Sequence, residues 1–132
     1  MRSGVLFVSP HCEDATVLSR MVGSLSVRFK HVADLAHART EIQNGVYAVI
    51  LTEANLPDGK WLDVLDLTRG IPPGAEVIVT DAGADARFWA EVLNMGAYDL
   101  IPQPFAAAEV QRIISNACSR SSTGSKVARA AG

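Results

Sequence analysis

Short apolar runs alternate along the chain with longer segments in which apolar residues recur every three or four positions. The first pattern is typical of strands buried on both faces of a parallel sheet, and the second is typical of helices with one apolar face. A further segment, 27–32, alternates apolar with charged residues, which predicts a half-exposed edge strand. Buried strands are predicted at 4–8, 48–51, 76–80 and 98–101.

Helical spacing follows each of these strands. Glu13 and Asp14 suit the first turn of the first helix, because negative charge is favourable at a helix N-terminus. The apolar stripe expected to face the sheet in this helix consists of Val17, Leu18, Met21, Val22 and Leu25. The later helices are predicted at 34–44, 62–69, 84–95 and 107–120, with ends at Gly45, at Gly70 with Pro72 and Pro73, and at Gly96.

Five strand–helix units in succession predict an α/β fold, because right-handed crossovers cover both faces of a parallel sheet with helices. We expect a five-stranded, flavodoxin-like sheet with the strand order 2-1-3-4-5. One domain, 1–120, accounts for the pattern. Residues 121–132 are small and polar, which predicts a flexible tail or linker.

Composition narrows the possible environments. The 132 residues carry a net charge of -2, which gives no basic footprint and disfavours direct binding to nucleic acid or to an anionic membrane. Cys12 and Cys118 are far apart and follow no metal-ligand spacing, which favours a reducing compartment. Since no apolar run is long enough to span a membrane, we expect a cytoplasmic protein.

Polar residues follow several of the predicted strands. In open α/β sheets, the carboxyl ends of the strands form the crevice that holds ligands or chemistry. The predicted order brings together Ser9, Glu53, Asp81 and Gln103. Glu53 is the first candidate for a functional residue, although an acid at a strand end is also a common solvated cap.

Two motifs give the chain a family resemblance. LPDG follows the third strand, and MGAYDLIPQPF resembles the AGAxDYLxKPF motif of one family. On these motifs and the strand-end spacing, the region from Gly4 to Arg120 resembles the receiver domain of bacterial response regulators (CheY-like). The resemblance implies the flavodoxin-like (βα)5 fold and a role in two-component signal transduction.

The chain departs from that family at every position of the phosphorylation site. In the family, two acids after strand one and an aspartate after strand three hold Mg²⁺, while a Thr or Ser and a Lys complete the pocket. The resemblance assigns Ser9 and Pro10 to the acid pair, Glu53 to the phosphoacceptor, Asp81 to the Thr/Ser switch position, Gln103 to the Lys and Leu100 to the switch aromatic.

These departures disfavour the Mg²⁺ binding and phosphorylation that the resemblance would otherwise imply. Mg²⁺ prefers hard oxygen ligands, usually carboxylates, and phosphoryl transfer needs positioned cations. We therefore expect no Mg²⁺ cofactor, no metal and no enzymatic activity. Weak cation binding by Glu53, Asp81 and a backbone carbonyl near Asn55 stays open.

Two residues near the site have open interpretations. His11 either pairs with Glu53 or Asp81, or lies in water as a loop histidine. Glu53 is either silent or holds the domain in one state by carrying the charge of a phosphoaspartate. Cys12 is disfavoured as a nucleophile, because no second catalytic group is identifiable.

Surface residues are the remaining candidates for function. Receivers commonly pair through the face of helix four, strand five and helix five, where this chain has Arg87, Trp89, Glu91, Leu93 and Asp99. Trp89 is either buried against the fifth strand or anchors a dimer or partner interface. Trp61 is predicted to pack over the phosphorylation site, filling the volume that a metal ion and a phosphoryl group occupy in the family.

The sequence thus favours a divergent receiver that works as a phosphorylation-independent protein-interaction module. Its expected partners are a sensor kinase, an output domain or a second copy of the chain. A receiver that accepts phosphate at Glu53 or another residue in a phosphorelay is the alternative. A flavodoxin-like small-molecule binder is a third interpretation, which the absence of a Gly-rich phosphate loop disfavours.

Overall fold

The computed structural model describes residues 3–70 and 74–131, and the side chains up to residue 120. Its strands are β1 (Ser3–Val8), β2 (Val27–Val32), β3 (Val49–Glu53), β4 (Asn55–Leu56), β5 (Gly59–Lys60), β6 (Glu76–Asp81) and β7 (Asp99–Pro102). Its α-helices are α1 (Cys12–Met21), α2 (Leu35–Asn44), α3 (Trp61–Arg69), α4 (Ala86–Asn94) and α5 (Ala107–Ala131), and a 3-10 turn (Val22–Ser24) follows α1.

The main sheet has five strands in the order β2-β1-β3-β6-β7, and all its pairs are parallel. Numbered among themselves, these strands have the predicted order 2-1-3-4-5. The predicted α/β class is therefore confirmed. A small antiparallel hairpin, β4 with β5, lies outside the main sheet and was not predicted.

Strand alternation divides the core between the two faces of the sheet, because successive side chains point to opposite sides. On one face, Phe7, Leu51 and Ile78 pack with residues of α1 and α5. On the other face, Leu6 and Ile50 pack toward α2 and α3, and a third cluster joins β6 and β7 to α3 and α4. We call these the α1/α5 face and the α2–α4 face.

The stripe predicted for α1 is wrong at one residue. Val17 is 40% exposed, whereas Leu18 is fully buried. Ala15 and Val22 complete the buried line with Leu18, at intervals of three and four residues. Val17 lies one position before Leu18, about 100° around the helix, and therefore turns toward solvent.

The ends of two helices confirm the predicted stops. Gly96 follows α4 with a φ of 111°, a left-handed conformation that favours glycine. Gly45 ends α2 in an extended conformation, so this stop does not use the left-handed geometry common at glycine caps. At the start of α2, the Asp34 side chain accepts a hydrogen bond from the backbone N–H of His37.

Some predictions fall at the margins of the described residues. Pro72 and Pro73, predicted to end the third helix, lie outside them. The backbone of α5 runs as a helix to Ala131, so residue 120 does not mark a change in backbone structure. The flexibility of 121–132 stays a prediction. No helix in the described part of the chain combines the length and apolarity needed to cross a membrane.

Candidate functional site

The carboxyl-terminal edge of the sheet carries polar residues on both of its faces. In the pairing of β3 with β6, Glu53 lies opposite Thr80. Partners in a parallel pair point to the same side, so both continue the α1/α5 face beyond Leu51 and Ile78. Asp81, the next residue along β6, continues the α2–α4 face instead. Two separate sites therefore lie at this edge.

The first site is the Glu53 cluster, formed by Ser9, His11, Asp14 and Glu53. The Ser9 hydroxyl donates a hydrogen bond to Glu53 Oε2, and His11 Nδ1 lies 2.8 Å from the same oxygen. Ser9 Oγ also accepts a hydrogen bond from the backbone N–H of His11, at 3.0 Å. The fully buried Ser9 side chain thus links the loop after β1 to the acid at the end of β3. His11 is paired with a carboxylate, as one of the two interpretations expected.

Acidic neighbours control the charge of His11. The hydrogen bond with Glu53 raises the pKa of His11 above its usual value. The negative charge of Glu53 adds to this effect, and the charges of Asp14 and Glu13 add smaller amounts. Asp14 Oδ2 lies 3.9 Å from His11 Nδ1. The His11 side chain is 62% exposed, whereas Glu53 is 14% exposed, so the pair lies at the mouth of the crevice.

The hydroxyl at the end of β6 belongs to Thr80, not to Asp81, the residue predicted for the Thr/Ser position. The fully buried Thr80 accepts a hydrogen bond from Gln103 Nε2, at 3.3 Å. The assignment of Asp81 to that position is therefore corrected. A one-residue shift along a strand reverses the face of every side chain, so the neighbouring residue points the other way.

The second site is the Asp81 pocket, a cavity of about 240 Å³ on the α2–α4 face. Asp81 lines it and therefore does not join Glu53, contrary to the predicted approach of the two acids. Among the described residues, the acid that forms a close group with Glu53 and His11 is Asp14. The lining residues are Ala54, Asn55, Lys60, Trp61, Leu62, Asp81, Phe88 and Glu91.

Trp61 lines the Asp81 pocket and packs on the α2–α4 face, opposite the face that carries Glu53. Only 4% of Trp61 is exposed, and its ring meets Phe88 edge-on with centroids 6.3 Å apart. Its backbone N–H donates to the carbonyl of Ala54 at 3.1 Å. The predicted burial of Trp61 is confirmed, but its position over the phosphorylation site is wrong.

The face of α4 and β7 exposes apolar side chains. Trp89 is 49% exposed, and its Nε1 donates to Asp99 Oδ1 at 3.1 Å. This geometry excludes full burial of Trp89 against β7. Leu93 and Met95 are also exposed, as are the charged residues Arg87 and Glu91. Leu100, predicted at the switch position, is buried beneath a groove of about 310 Å³ that Trp89 also lines.

Two residues of the site escaped prediction. Thr80 directly precedes Asp81, and only the register of β6 shows which of the two faces Glu53. Asp14 was noted as a helix-start residue, but its spacing of three residues from His11 already placed both on one side of the first turn. The sequence could therefore have identified Asp14 as a neighbour of His11. Pro10, in contrast, is exposed and adds no polar side chain.

Comparisons with known proteins identify the fold. Neither protein-family models nor curated proteins yield a match. Among solved structures, the signal receiver domain of a protein described as a LuxO repressor, from Vibrio parahaemolyticus, is 22% identical with a TM-score of 0.88, covering 96% of this chain and 98% of that chain. A second match is the receiver domain of a sensor histidine kinase from Pseudomonas aeruginosa, which has a magnesium ion in its active-site cleft. It is 26% identical with a TM-score of 0.78, and the match covers 90% of this chain and 99% of that chain.

A third structure, the beryllofluoride-activated NtrC4 receiver domain dimer, is 21% identical with a TM-score of 0.82, covering 89% of this chain and 98% of that chain. The chain therefore has the fold of response regulator receiver domains, as the motifs implied.

Proposed function

We propose that this chain is a divergent receiver domain that acts as a phosphorylation-independent protein-interaction module in bacterial two-component-type signalling. The observation that carries the proposal is the bonding of Glu53. The acid at the phosphoacceptor position already shares one carboxylate oxygen with the Ser9 hydroxyl and His11 Nδ1. These contacts within the chain take the place of those that Mg²⁺ and a phosphoryl group would make at Glu53 in the family.

The residues of the Glu53 cluster do not fit Mg²⁺ as the family holds it. Mg²⁺ requires a near-octahedral set of oxygen ligands. The loop after β1 provides a hydroxyl at Ser9 and an apolar side chain at Pro10 in place of two carboxylates. The nearest additional ligand to Glu53 is the imidazole nitrogen of His11, which suits softer metals. Mg²⁺ is therefore not expected to support phosphoryl transfer at Glu53.

The site also lacks the lysine that neutralises a phosphoryl group in the family. Gln103, at the position of the family's lysine, is neutral, and its amide donates to Thr80. Positive charge on His11 is already paired with Glu53. Because phosphoryl transfer depends on neutralising the charge of the transferring group, the barrier at Glu53 would stay high. A fixed phosphate mimic is also less favoured, since Thr80 bonds Gln103 rather than Glu53.

The surface most suited to partner binding is the face of α4 and β7. Trp89, Leu93 and Met95 expose apolar area there, between the charged side chains of Arg87 and Glu91. Aromatic residues are enriched at the centres of protein interfaces. We propose that this face binds a sensor kinase, an output domain or a second copy of the chain.

The test is exposure to acetyl phosphate, and separately to beryllofluoride, with Mg²⁺. We expect no phosphorylated species by intact mass spectrometry and no beryllofluoride-dependent change in the NMR spectrum. A phosphoaccepting receiver serves as the reagent control, and Glu53→Gln serves as the matched variant. A phosphoryl adduct that disappears in Glu53→Gln would establish the alternative, a phosphoaccepting receiver.

A further inference from the structure

Three side chains of the Glu53 cluster direct ligand atoms toward one point. His11, Asp14 and Glu53 each place one nitrogen or oxygen within 4.8 Å of the others. His11 is the N-cap of α1, and Asp14 lies three residues later on the same side of the first turn. Glu53 comes from the end of β3. The group therefore joins two separate elements of the fold.

The spacing of these atoms matches a small metal ion. Two ligands at about 2.0–2.1 Å from a tetrahedral Zn²⁺ stand roughly 3.3 Å apart. His11 Nδ1 lies 2.8 Å from Glu53 Oε2 and 3.9 Å from Asp14 Oδ2, so the observed distances lie on either side of that value. Small rotamer changes in the exposed His11 side chain would equalise them.

The charges and donor types favour a transition metal over Mg²⁺. Two carboxylates and a neutral imidazole carry a net charge of about -2, which a dication balances. Among the described residues, no lysine or arginine forms an ion pair with Asp14 or Glu53. Imidazole nitrogen binds Zn²⁺ well, whereas Mg²⁺ prefers oxygen ligands only.

A buried hydroxyl holds two of the ligands in position. Ser9 donates to Glu53 and accepts from the backbone of His11, and its side chain is inaccessible to solvent. Metal ligands in proteins are commonly oriented by such outer hydrogen bonds. The exposed side of His11 leaves a fourth coordination position open to water or to a partner's side chain.

We propose that His11, Asp14 and Glu53 form a three-ligand binding site for a transition-metal dication of the Zn²⁺ class. Ser9 is a positioning residue for this site. Metal binding would tie the start of α1 to the end of β3. This inference goes beyond the proposed function and does not depend on it.

Calorimetric titration of the chelator-treated protein with Zn²⁺ tests the proposal. We expect one equivalent to bind, with Mg²⁺ binding at least ~10-fold more weakly. Asp14→Asn and His11→Ala should each weaken Zn²⁺ binding at least ~10-fold, and Ser9→Ala about 10-fold. Co²⁺ should give a visible absorption spectrum that Asp14→Asn abolishes. Circular dichroism checks that each variant is folded.

Three control variants separate this site from adventitious binding. Asp34 and His37 form a similar pair, 2.6 Å apart at the start of α2, but belong to no group of three among the described residues. His37→Ala should therefore leave the Zn²⁺ affinity unchanged, as should Cys12→Ser and Asp81→Asn.

The proposal is overturned if Zn²⁺ does not bind, if Asp14→Asn retains full affinity, or if His37→Ala or Cys12→Ser removes the binding. The phosphorylation assay contains no Zn²⁺. A phosphoryl adduct there would refute the proposed function and leave the metal site standing, and failed Zn²⁺ binding would do the reverse.

Discussion

The Glu53 cluster and the Asp81 pocket lie at the same edge of the sheet but on opposite faces. In the Glu53 cluster, polar atoms are bonded to one another, so Ser9 and His11 satisfy the partly buried acid. In the Asp81 pocket, Trp61 packs edge-on against Phe88, and Asp81 is one of several residues that line the cavity. The two faces of this edge therefore differ in role: one carries a hydrogen-bonded polar group, and on the other Trp61 packs α3 against α4.

The largest expected loss of stability comes from a substitution in the Asp81 pocket. Trp61→Ala should lower the free energy of unfolding by about 3–5 kcal/mol, because the side chain is almost fully buried against Phe88. The half-exposed Trp89 is the matched control, and Trp89→Ala should cost less than about 1.5 kcal/mol. Urea denaturation measures both values. Equal losses would show that the pocket is not the more important packing site.

A smaller loss of stability is expected for a substitution in the Glu53 cluster. Ser9→Ala removes a hydroxyl that bonds both Glu53 and the backbone of His11. Loss of these partly buried contacts should lower the free energy of unfolding by about 1–3 kcal/mol. Asp81→Asn, at the other site, should change it by less than about 0.5 kcal/mol. If Asp81→Asn is the more destabilising variant in urea, the division between the two sites is wrong.

The bond between Gln103 and Thr80 should contribute less. It joins two neutral groups at 3.3 Å, near the upper limit for a hydrogen bond. Gln103→Ala should therefore lower the free energy of unfolding by about 0.5–1.5 kcal/mol. Thr80→Val tests the same bond from its other end, and a double-mutant cycle isolates the shared term. Strictly additive losses would mean that the bond does not contribute.

The smallest effect on stability, but the most specific, concerns His11. Glu53 raises its pKa, so Glu53→Gln should lower the His11 pKa in an NMR titration of chelator-treated protein. A raised pKa means that the pair stabilises the fold below the unfolded-state pKa of histidine, and that this contribution disappears as pH rises through the folded-state pKa. Asp81→Asn should leave the titration unchanged. The same titration curve in Glu53→Gln and the native chain would eliminate the pair.

The fold was largely predictable, because each strand and helix is encoded in a local period. The apolar runs of β1, β3 and β6 and the alternation in β2 all matched the structure. The errors arose where the local signal was short. The β4–β5 hairpin has strands of two residues each, and the exposure of Val17 depends on how α1 is rotated against the sheet.

The site was predictable only in part. Ser9, Glu53 and Gln103 all lie on the α1/α5 side of the sheet edge, because strand ends in a parallel sheet converge. The pairing of His11 with Glu53 could be considered but not decided, since the two residues are 42 positions apart. Their contact depends on the pairing of β1 with β3, which brings the loop after β1 beside Glu53.

By itself, the sequence determined the order of the elements, the buried residues of the sheet and the residue types that follow each strand, such as Ser9 and Glu53. Tertiary structure alone decided which face each strand-end residue joins. Neighbouring residues in a strand point to opposite sides. The register of β3 with β6 therefore decides which residue of β6 lies opposite Glu53 and shares its face. That register selected Thr80 over Asp81 and left Glu53 with Ser9, His11 and Asp14.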